Sequence, residues 1–339
     1  MNKNIKLLAK SLLFILIIAF SLTKAQAEVN EVRVSRGYGI LYLPLIVMQD
    51  QKIFEKKAKE EGLGDLNVKW VILDGGNVIN DAMMAGSIDI AGTGAPGFIT
   101  LWSKARGIPN VEVIGLTALS ATSLWLNTNR DHIKTLSDFK SGDKIAIPGI
   151  KTSLAAVVLQ MIAAKEFGHD NYAKLDPLTV ALPHPEAVAA LIAGKTEIVA
   201  HFTSPPFQQI EIKSDHIHRV VNSVDYVGNL TLDVTYAPKR FVDANPQTTK
   251  AFIDALDETN KFIAENKELA AEIFVNSSKV KIDKDEILAI INDPDTKFST
   301  TPVNVMNFAE FLGLSGTIKT KPNDWKDLFV PYLHERDGS

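Results

Sequence analysis

Three short turns rich in glycine, serine and threonine carry the residue types best suited to hold a small polar ligand. They are Gly75-Gly76-Asn77, Thr93-Gly94-Ala95-Pro96 and Lys151-Thr152-Ser153, and each directly precedes an apolar helical pattern. The first N–H groups of a helix have no intrahelical partner, so such turns offer amide and hydroxyl donors. They predict ligand contact by Gly76, Asn77, Thr93, Gly94, Thr152 and Ser153, most strongly by the last two. Ordinary helix capping is the alternative for each turn.

Other candidate ligand contacts are larger side chains near the start of the chain. Arg36 follows a predicted strand and precedes Gly37-Tyr38-Gly39, where its planar guanidinium could pair with an oxyanion, or form a salt bridge instead. Tyr38 and Tyr42 could wall a cleft or belong to the core. We predict that Arg36, Tyr38, Gly39 and Tyr42 contact the ligand.

Two further pairs of polar residues lie further along the chain. Thr122 and Ser123 fall within a long extended run and could donate to a ligand, although a plain buried strand fits equally well. His184 begins a helix and His201 ends a strand, so both could face a cleft from a second lobe. No cofactor or metal is expected, because His216 and His218 share a strand face without a third ligand of suitable spacing.

Catalytic motifs are absent from the sequence. Ser137 and Lys140 fit Ser-x-x-Lys, a pattern short enough to arise by chance, and no nucleophile elbow, zinc helix or phosphate loop accompanies it. The 339 residues include no cysteine, which excludes disulfides, a cysteine nucleophile and a lipidated cysteine anchor. We therefore expect a protein that is not an enzyme.

The amino terminus indicates export. Lys3, Lys6 and Lys10 precede an apolar run shorter than the roughly 20 residues that span a bilayer, and Ala25-Gln26-Ala27 is a small-x-small cleavage site. We predict a signal peptide over residues 1–27, cleaved after Ala27. Its removal takes away four lysines and no acids, so the formal charge moves from −4 to −8. This balance gives no support to nucleic-acid binding.

The chain that follows alternates short apolar strands with amphipathic helices, which is typical of parallel α/β architecture. A strand at Val32 and Val34 leads to a helix over 43–60. Later strands are predicted at 68–72, 88–91, 111–116, 144–147, 178–182, 198–201 and 217–221. The roughly 312 residues that follow the signal peptide exceed what one hydrophobic core usually serves, so we expect two lobes. Longer extended runs at 116–127 and 230–236 are predicted to cross between them. Beyond Asn245-Pro246 the pattern is helical without strands, which suggests a covering layer.

A series of motifs in fixed order gives the sequence a family resemblance. They are Gly37-Tyr38-Gly39-Ile40 with Leu43-Pro44-Leu45, Gly86-Ser87-Ile88-Asp89-Ile90-Ala91, Leu136-Ser137-Asp138-Phe139-Lys140 with Lys144-Ile145-Ala146-Ile147-Pro148-Gly149, Ala193-Gly194-Lys195-Thr196-Glu197-Ile198, Ser204-Pro205-Pro206, and Pro238-Lys239-Arg240-Phe241. Together they resemble the nitrate/sulfonate/taurine branch of ABC-transporter substrate-binding proteins, which includes binders of thiamin pyrimidine precursors. The resemblance covers roughly residues 32–265.

The resemblance implies a type II periplasmic-binding-protein fold, in which two α/β lobes are joined by two crossover strands. We expect one lobe at 28–117 with 235–339 and the other at 118–234. The implied function is a monomeric periplasmic solute-binding component that delivers its ligand to a permease driven by a separate ATPase. A small organic anion such as a sulfonate, taurine or nitrate leads on the helix-start argument, and a planar heterocycle such as a pyrimidine precursor is the alternative. A periplasmic enzyme or a sensory module on the same fold are rivals from other classes.

Overall fold

Two β-sheets organise the chain in a computed structural model that describes residues 28–278 and 281–339. The strands are β1 (Glu31–Arg36), β2 (Asn67–Ile72), β3 (Ile90–Gly94), β4 (Val113–Ala121), β5 (Trp125–Thr128), β6 (Lys144–Ile147), β7 (Thr179–Ala181), β8 (Ile198–Thr203), β9 (His218–Asn222), β10 (Asp233–Pro238) and β11 (Lys297–Phe298). One sheet has six strands in the order β11-β4-β10-β3-β1-β2, and the other has five in the order β7-β6-β8-β5-β9. The signal peptide predicted over 1–27 lies outside the described residues.

The helices surround these two sheets. They are α1 (Leu43–Gln51), α2 (Ile53–Glu60), α3 (Gly76–Met84), α4 (Ala95–Ala105), α5 (Leu154–Phe167), α6 (His184–Ala193), α7 (Phe207–Glu211), α8 (Val224–Val227), α9 (Lys239–Ala244), α10 (Pro246–Glu265), α11 (Lys267–Ser277), α12 (Lys284–Ile291) and α13 (Met306–Leu314). None of the helices in the described part of the chain is long and apolar enough to span a membrane.

Each sheet contains the parallel strand pairs expected of α/β architecture together with antiparallel pairs. In the larger sheet β1 pairs parallel with β2 and β3, while β10 runs antiparallel to β3 and β4. In the smaller sheet β6 pairs parallel with β7 and β8, while β5 runs antiparallel to β8 and β9. The chain enters the smaller sheet by β5 and returns to the larger sheet by β10, and each of these strands runs antiparallel to both of its neighbours.

The chain crosses between the sheets twice, which confirms the predicted fold class. It leaves the larger sheet after Ala121, joins the smaller at Trp125, and returns between Asn222 and Asp233. The strand predicted without interruption over 116–127 is therefore two strands with a three-residue break, since one segment cannot pair in both sheets at once. Both β4 and β10 pair within the larger sheet. The lobe limits at 117/118 and 234/235 stay a prediction.

Two other elements differ from the sequence-based expectation. The helix predicted over 43–60 is divided at Lys52, whose left-handed φ of 52° ends α1 while its N–H bonds to the carbonyls of Gln49 and Met48. The carboxyl-terminal region contains a strand, because Lys297 and Phe298 pair with Ala121 and Ser120 of β4. Two residues are too few for a readable alternation, so only their pairing partner defines them as a strand.

The covering role expected of the later helices is visible in α10. This helix packs against α1 and α2, and the rings of Phe54 and Phe252 meet edge to face with centroids 5.2 Å apart. Asn245 precedes it with proline at the first helical position, as the sequence predicts. The apolar face of α10 thereby anchors the amino-terminal helices that support Tyr42 at the site described next.

Candidate functional site

A small chamber lies where the two sheets face each other, at the ends of the strands. The space open to the centre of a water-sized sphere is about 40 Å³, whereas one water needs roughly 10–15 Å³ by this measure. Its walls come from both sides of the molecule: Tyr38, Leu41, Tyr42, Asp74, Gly75, Gly76, Ile79, Thr93, Gly94, Leu124, Pro148, Thr152, Ser153, Leu154, Ala155, His184, Thr203, Ser204 and Asp233. The chamber is therefore narrow in this structure, with room for a few water molecules.

Asp74 stands in the turn between β2 and α3, at the rim where the two sides meet. Burial raises the pKa of its carboxyl to about 6, against the opposing effect of backbone N–H groups of His184 and Gly75 that donate to it. One of these donors belongs to the five-stranded side, so Asp74 links the two sides. Its Oδ2 is buried and has no hydrogen-bond partner, which leaves one acceptor ready for a donor in the chamber.

Asp233 opens β10 on the six-stranded side and is buried. Burial raises the pKa of its carboxyl to about 7. The Tyr42 hydroxyl donates a hydrogen bond to the carboxylate and so lowers this pKa, whereas the charge of Asp74 raises it. Burial and the two carboxylates also hold the pKa of Tyr42 well above its ordinary value. Oδ2 of Asp233 and the hydroxyl of Thr93 are both buried without a partner. This wall thus presents several unsatisfied oxygens.

The opposite wall contains a buried chain of hydrogen-bonded side chains. Nδ1 of His184 lies 2.8 Å from Nε2 of His201, and Nδ1 of His201 lies 2.5 Å from a carboxylate oxygen of Glu211. The other oxygen of Glu211 accepts a 2.8 Å bond from Asn127. His184 lines the chamber, and its ring stacks on Phe207 with centroids 5.2 Å apart. Burial, followed by the neighbouring His201, lowers the pKa of His184 well below its ordinary value, so His184 is neutral at pH 7.

The hydroxyls of Thr152 and Ser153 line the chamber but already have partners within the protein. Thr152 donates a 2.7 Å bond to the side-chain oxygen of Asn77, which lies across the chamber. Ser153 donates to the Gly149 carbonyl at 2.5 Å and accepts from the N–H of Ala156, as the N-cap of α5. The structure therefore gives Thr152 a role in joining the two sides and Ser153 a role in capping, while their contact with a ligand stays a prediction.

Most of the residues singled out from the sequence gather at this chamber. Those that line it are Tyr38, Tyr42, Gly76, Thr93, Gly94, Thr152, Ser153 and His184. Outside its lining lie Arg36, Gly39, Asn77, Thr122, Ser123 and His201.

The residues outside the lining have other surroundings. Arg36 and Gly39 border a smaller neighbouring cavity, and the Arg36 guanidinium donates to Gln49 at 3.3 Å. Thr122 shares a 3.0 Å hydrogen bond with the hydroxyl of Thr296, and Ser123 accepts from the Trp125 indole at 3.1 Å. Arg36 is also buried, which lowers its pKa. These hydrogen bonds engage Nε of Arg36 and the two hydroxyls within the protein, and contact of these residues with a ligand stays a prediction.

Sequence reasoning missed the two carboxylates, Thr203 and Ser204. Asp233 is a single acid inside the apolar run 230–236, and an acid in a buried strand is rare without a partner or a function. Asp74 directly precedes the Gly75-Gly76 turn that we did consider. A search for isolated acids in apolar strands and at strand ends would have found both.

The charge of the lining is one-sided. It contains Asp74 and Asp233 but no lysine or arginine, so the chamber offers a negative potential and an excess of acceptors. Among the described residues no cluster of three or more histidine, cysteine, aspartate or glutamate side chains is arranged to hold a metal ion.

Two mixed β-sheets flanked by helices, with a chamber between them where the chain crosses twice, define the type II periplasmic-binding-protein fold. Solved structures of that fold are similar to this chain over most of its length. The MOPS-bound alkanesulfonate-binding protein SsuA from Xanthomonas axonopodis pv. citri is 16% identical, with 87% of this chain and 96% of that chain covered and a TM-score of 0.66. The aliphatic sulphonate-binding protein SsuA from Escherichia coli is 16% identical, with 89% of this chain and 92% of that chain covered and a TM-score of 0.63. The nitrate-binding protein NrtA from Synechocystis PCC 6803 is 18% identical, with 80% of this chain and 74% of that chain covered and a TM-score of 0.61.

The sequence model of the NMT1/THI5-like protein family matches residues 59–270 of this chain. The chain belongs to this family, and the resemblance inferred from the motifs is confirmed. No curated protein matches the chain. Fold and family together support a solute-binding role.

Proposed function

We propose that the chain is exported by its amino-terminal signal peptide and serves as the periplasmic solute-binding component of an ABC importer. The family, the fold and the enclosed chamber between two sheets support this role. Ligand would be captured in the chamber and delivered to membrane permease subunits that a separate ATPase drives. The protein would release the ligand unaltered, as a carrier and not as an enzyme.

The ligand we propose is a planar nitrogen heterocycle that carries N–H donors, such as an aminopyrimidine. The observation that carries this choice is the pair of buried, unpartnered carboxylate oxygens on Asp74 and Asp233. An unsatisfied buried acceptor is unfavourable, so a ligand that brings donors stabilises the closed chamber. A protonated ring nitrogen or an amine supplies such donors. This was the alternative in the sequence analysis, and the chamber favours it over the organic anion.

A sulfonate or nitrate would meet unfavourable electrostatics in this chamber. Its charge would lie against two carboxylates with no lysine or arginine in the lining to balance it, and like charges at close range are costly at low dielectric. The donors that the predicted helix starts would offer an anion are also partly engaged, since Ser153 caps its own helix. Sulfonate and nitrate binding by the neighbouring structures belongs to those proteins.

Capture would work by closure of the two sides on the ligand. Asp74, Asp233 and Thr93 approach from the six-stranded side, while His184 and Thr203 approach from the five-stranded side. A ligand that bonds both sides binds the closed state better than the open one and so shifts the equilibrium toward closure. The direct contact of Ile40 N–H with the Pro205 carbonyl, 3.0 Å across the same boundary, adds to the closed state.

A matched ligand panel tests the proposal on the protein without residues 1–27. We expect 4-aminopyrimidines to raise the melting temperature and to bind in calorimetry, and 4-methylpyrimidines of the same shape to bind more weakly for lack of the N–H donors. Taurine, an alkanesulfonate and nitrate should have no effect. Stabilisation by the anions alone would contradict the ligand class. Chemical change of a bound ligand, followed by mass spectrometry, would contradict the carrier role.

A further inference from the structure

His184, His201 and Glu211 form a buried chain of hydrogen-bonded side chains. His201 and Glu211 are fully buried, and neither lines the chamber. They lie behind His184, which does line it, so they can act on a ligand only through His184. Every member of the chain has a defined partner, which makes the positions of its protons a matter of deduction.

The deduction starts at Glu211, because an ionised carboxylate only accepts hydrogen bonds. Nδ1 of His201, 2.5 Å from the Glu211 carboxylate, must carry the proton of that bond. With His201 as a neutral imidazole, its other nitrogen is an acceptor, and Nε2 of His201 then accepts the 2.8 Å bond from Nδ1–H of His184. Neutral His184 is left with an unprotonated Nε2.

The hydroxyl of Thr203 agrees with this assignment. It lies 3.0 Å from the same Nδ1 of His184 and also 3.4 Å from the carbonyl of Ser204, to which it donates. A hydroxyl that donates to a carbonyl is free to accept from Nδ1–H. Its position is therefore consistent with a proton on Nδ1 of His184.

From this chain we infer that Glu211 is a positioning residue that sets the tautomer of His184 and makes its Nε2 a hydrogen-bond acceptor for the ligand. The inference deepens the proposed function and rests on it. It adds a third kind of acceptor, a ring nitrogen, to the carboxylates of the opposite wall. It also predicts that specificity for donor-bearing ligands depends on a residue that never touches the ligand.

Substitution of Glu211 by glutamine tests the inference because it reverses the direction of the hydrogen bonds while the side chain keeps nearly the same shape. The glutamine oxygen can still accept from Asn127, while its NH₂ group donates to Nδ1 of His201. His201 would then donate from Nε2 to His184, and the proton of His184 would move to Nε2. A ligand donor that faces His184 would meet another donor.

We expect Glu211→Gln to weaken binding of a 4-aminopyrimidine by about tenfold relative to the matching pyrimidin-4-one, the effect of losing one hydrogen bond. Glu211→Asp keeps a carboxylate and should retain the original preference. Glu310→Gln, which removes the same charge from an exposed position on α13, is the matched control and should change nothing. An unaltered preference in Glu211→Gln would overturn the inference.

Nitrogen-15 NMR of the imidazole rings gives a second readout that needs no ligand and no variant. In the wild-type protein we expect His184 to be protonated at Nδ1 only, and in Glu211→Gln at Nε2. A proton on Nε2 of wild-type His184 would overturn the inference, even if the glutamine variant did not fold. Failure of all donor-bearing ligands to bind the wild type would instead remove the proposed ligand class, and the tautomer measurement would still stand on its own.

Discussion

The two walls of the chamber satisfy their buried polar groups in different ways. On the six-stranded side, Asp74, Asp233 and Thr93 each retain a buried oxygen without a partner. On the five-stranded side, His184, His201 and Glu211 form a continuous chain of hydrogen bonds. One wall is incomplete without a ligand, and the other is arranged in advance.

This difference suggests a division of labour in binding. The buried carboxylate oxygens of the first wall have no donor within the protein, so a donor-bearing ligand would supply their hydrogen bonds. The hydrogen-bonded chain of the second wall instead holds its lining residue, His184, in one orientation. We therefore assign affinity mainly to the first wall and orientation of the ligand mainly to the second.

Removal of the carboxylates should have the largest effect. We expect Asp74→Asn and Asp233→Asn to weaken binding of a 4-aminopyrimidine by about 100-fold each, the scale of breaking a buried charged hydrogen bond. Both variants should be more stable than the wild type without ligand, because an amide is less costly to bury than a carboxylate. Calorimetric titration and thermal melts measure the two effects, with Asp131→Asn at an exposed position as the control.

Equal binding by these variants and the wild type would contradict the comparison between the walls. So would a similar loss of binding in Asp131→Asn.

Obstruction of closure should have the next largest effect. Gly75 has φ of 89°, and a Cβ there would lie 2.9 Å from the Pro148 carbonyl on the other side. Gly168 has nearly the same φ of 88°, with nothing within 4 Å of its Cβ position. Both alanine variants should lose stability from backbone strain, by about 1–3 kcal/mol. Only Gly75→Ala should also weaken binding, by about tenfold or more, in calorimetric titrations.

Equal affinities in Gly75→Ala and Gly168→Ala, after both are shown to be folded, would argue against tight closure around the ligand.

The pH dependence of stability should follow Asp233 near neutrality. Its folded pKa of about 7 lies above the unfolded value of 3.8, so the folded state binds more protons between these values, and stability falls as pH rises towards 7 and levels off above it. We expect the ligand-free protein to lose on the order of 1 kcal/mol between pH 6.5 and 8. Asp233→Asn should remove most of this slope and leave the smaller part that comes from Asp74, whose pKa is about 6. Below pH 6.5 the lowered pKa of His184 acts in the opposite direction. Urea titrations at several pH values measure both.

Binding of a donor-bearing ligand should show the complementary trend. Because the ligand needs an ionised carboxylate, its affinity should fall as the pH drops below 7, with proton release visible as a buffer-dependent enthalpy. An affinity that rises as pH falls would indicate an anionic ligand.

The hydroxyls at the start of α5 should have the smallest effect. Ser153→Ala removes an N-cap and should cost about 1 kcal/mol of stability, since its hydroxyl serves the helix. Thr152→Val removes the 2.7 Å bond to Asn77 and should weaken binding by less than about tenfold. A loss in either variant as large as that of Asp74→Asn would move the centre of recognition to the five-stranded side.

The sequence predicted local features well because each depends on neighbours in the chain. The turn at Gly75-Gly76, the helix start with proline at Asn245-Pro246, and the strand at Val68 and Trp70 are properties of a few consecutive residues. Such patterns, in a fixed order, were sufficient for the fold class and the family. The break at Lys52 was missed because a left-handed lysine leaves no mark on hydrophobic periodicity.

Only the tertiary structure decided the polarity of the chamber. Asp74 and Asp233 belong to distant parts of the chain. Burial raises both pKa values, with a further rise from the charge of Glu186 for Asp74 and from the charge of Asp74 for Asp233, and none of this is a property of the local sequence. Likewise, Glu211 and His184 lie on different helices, and Glu211 reaches His184 only through His201 on β8. Helix starts alone predict donors and hence an anion, whereas the carboxylates that the fold brings among them favour a ligand that supplies donors itself.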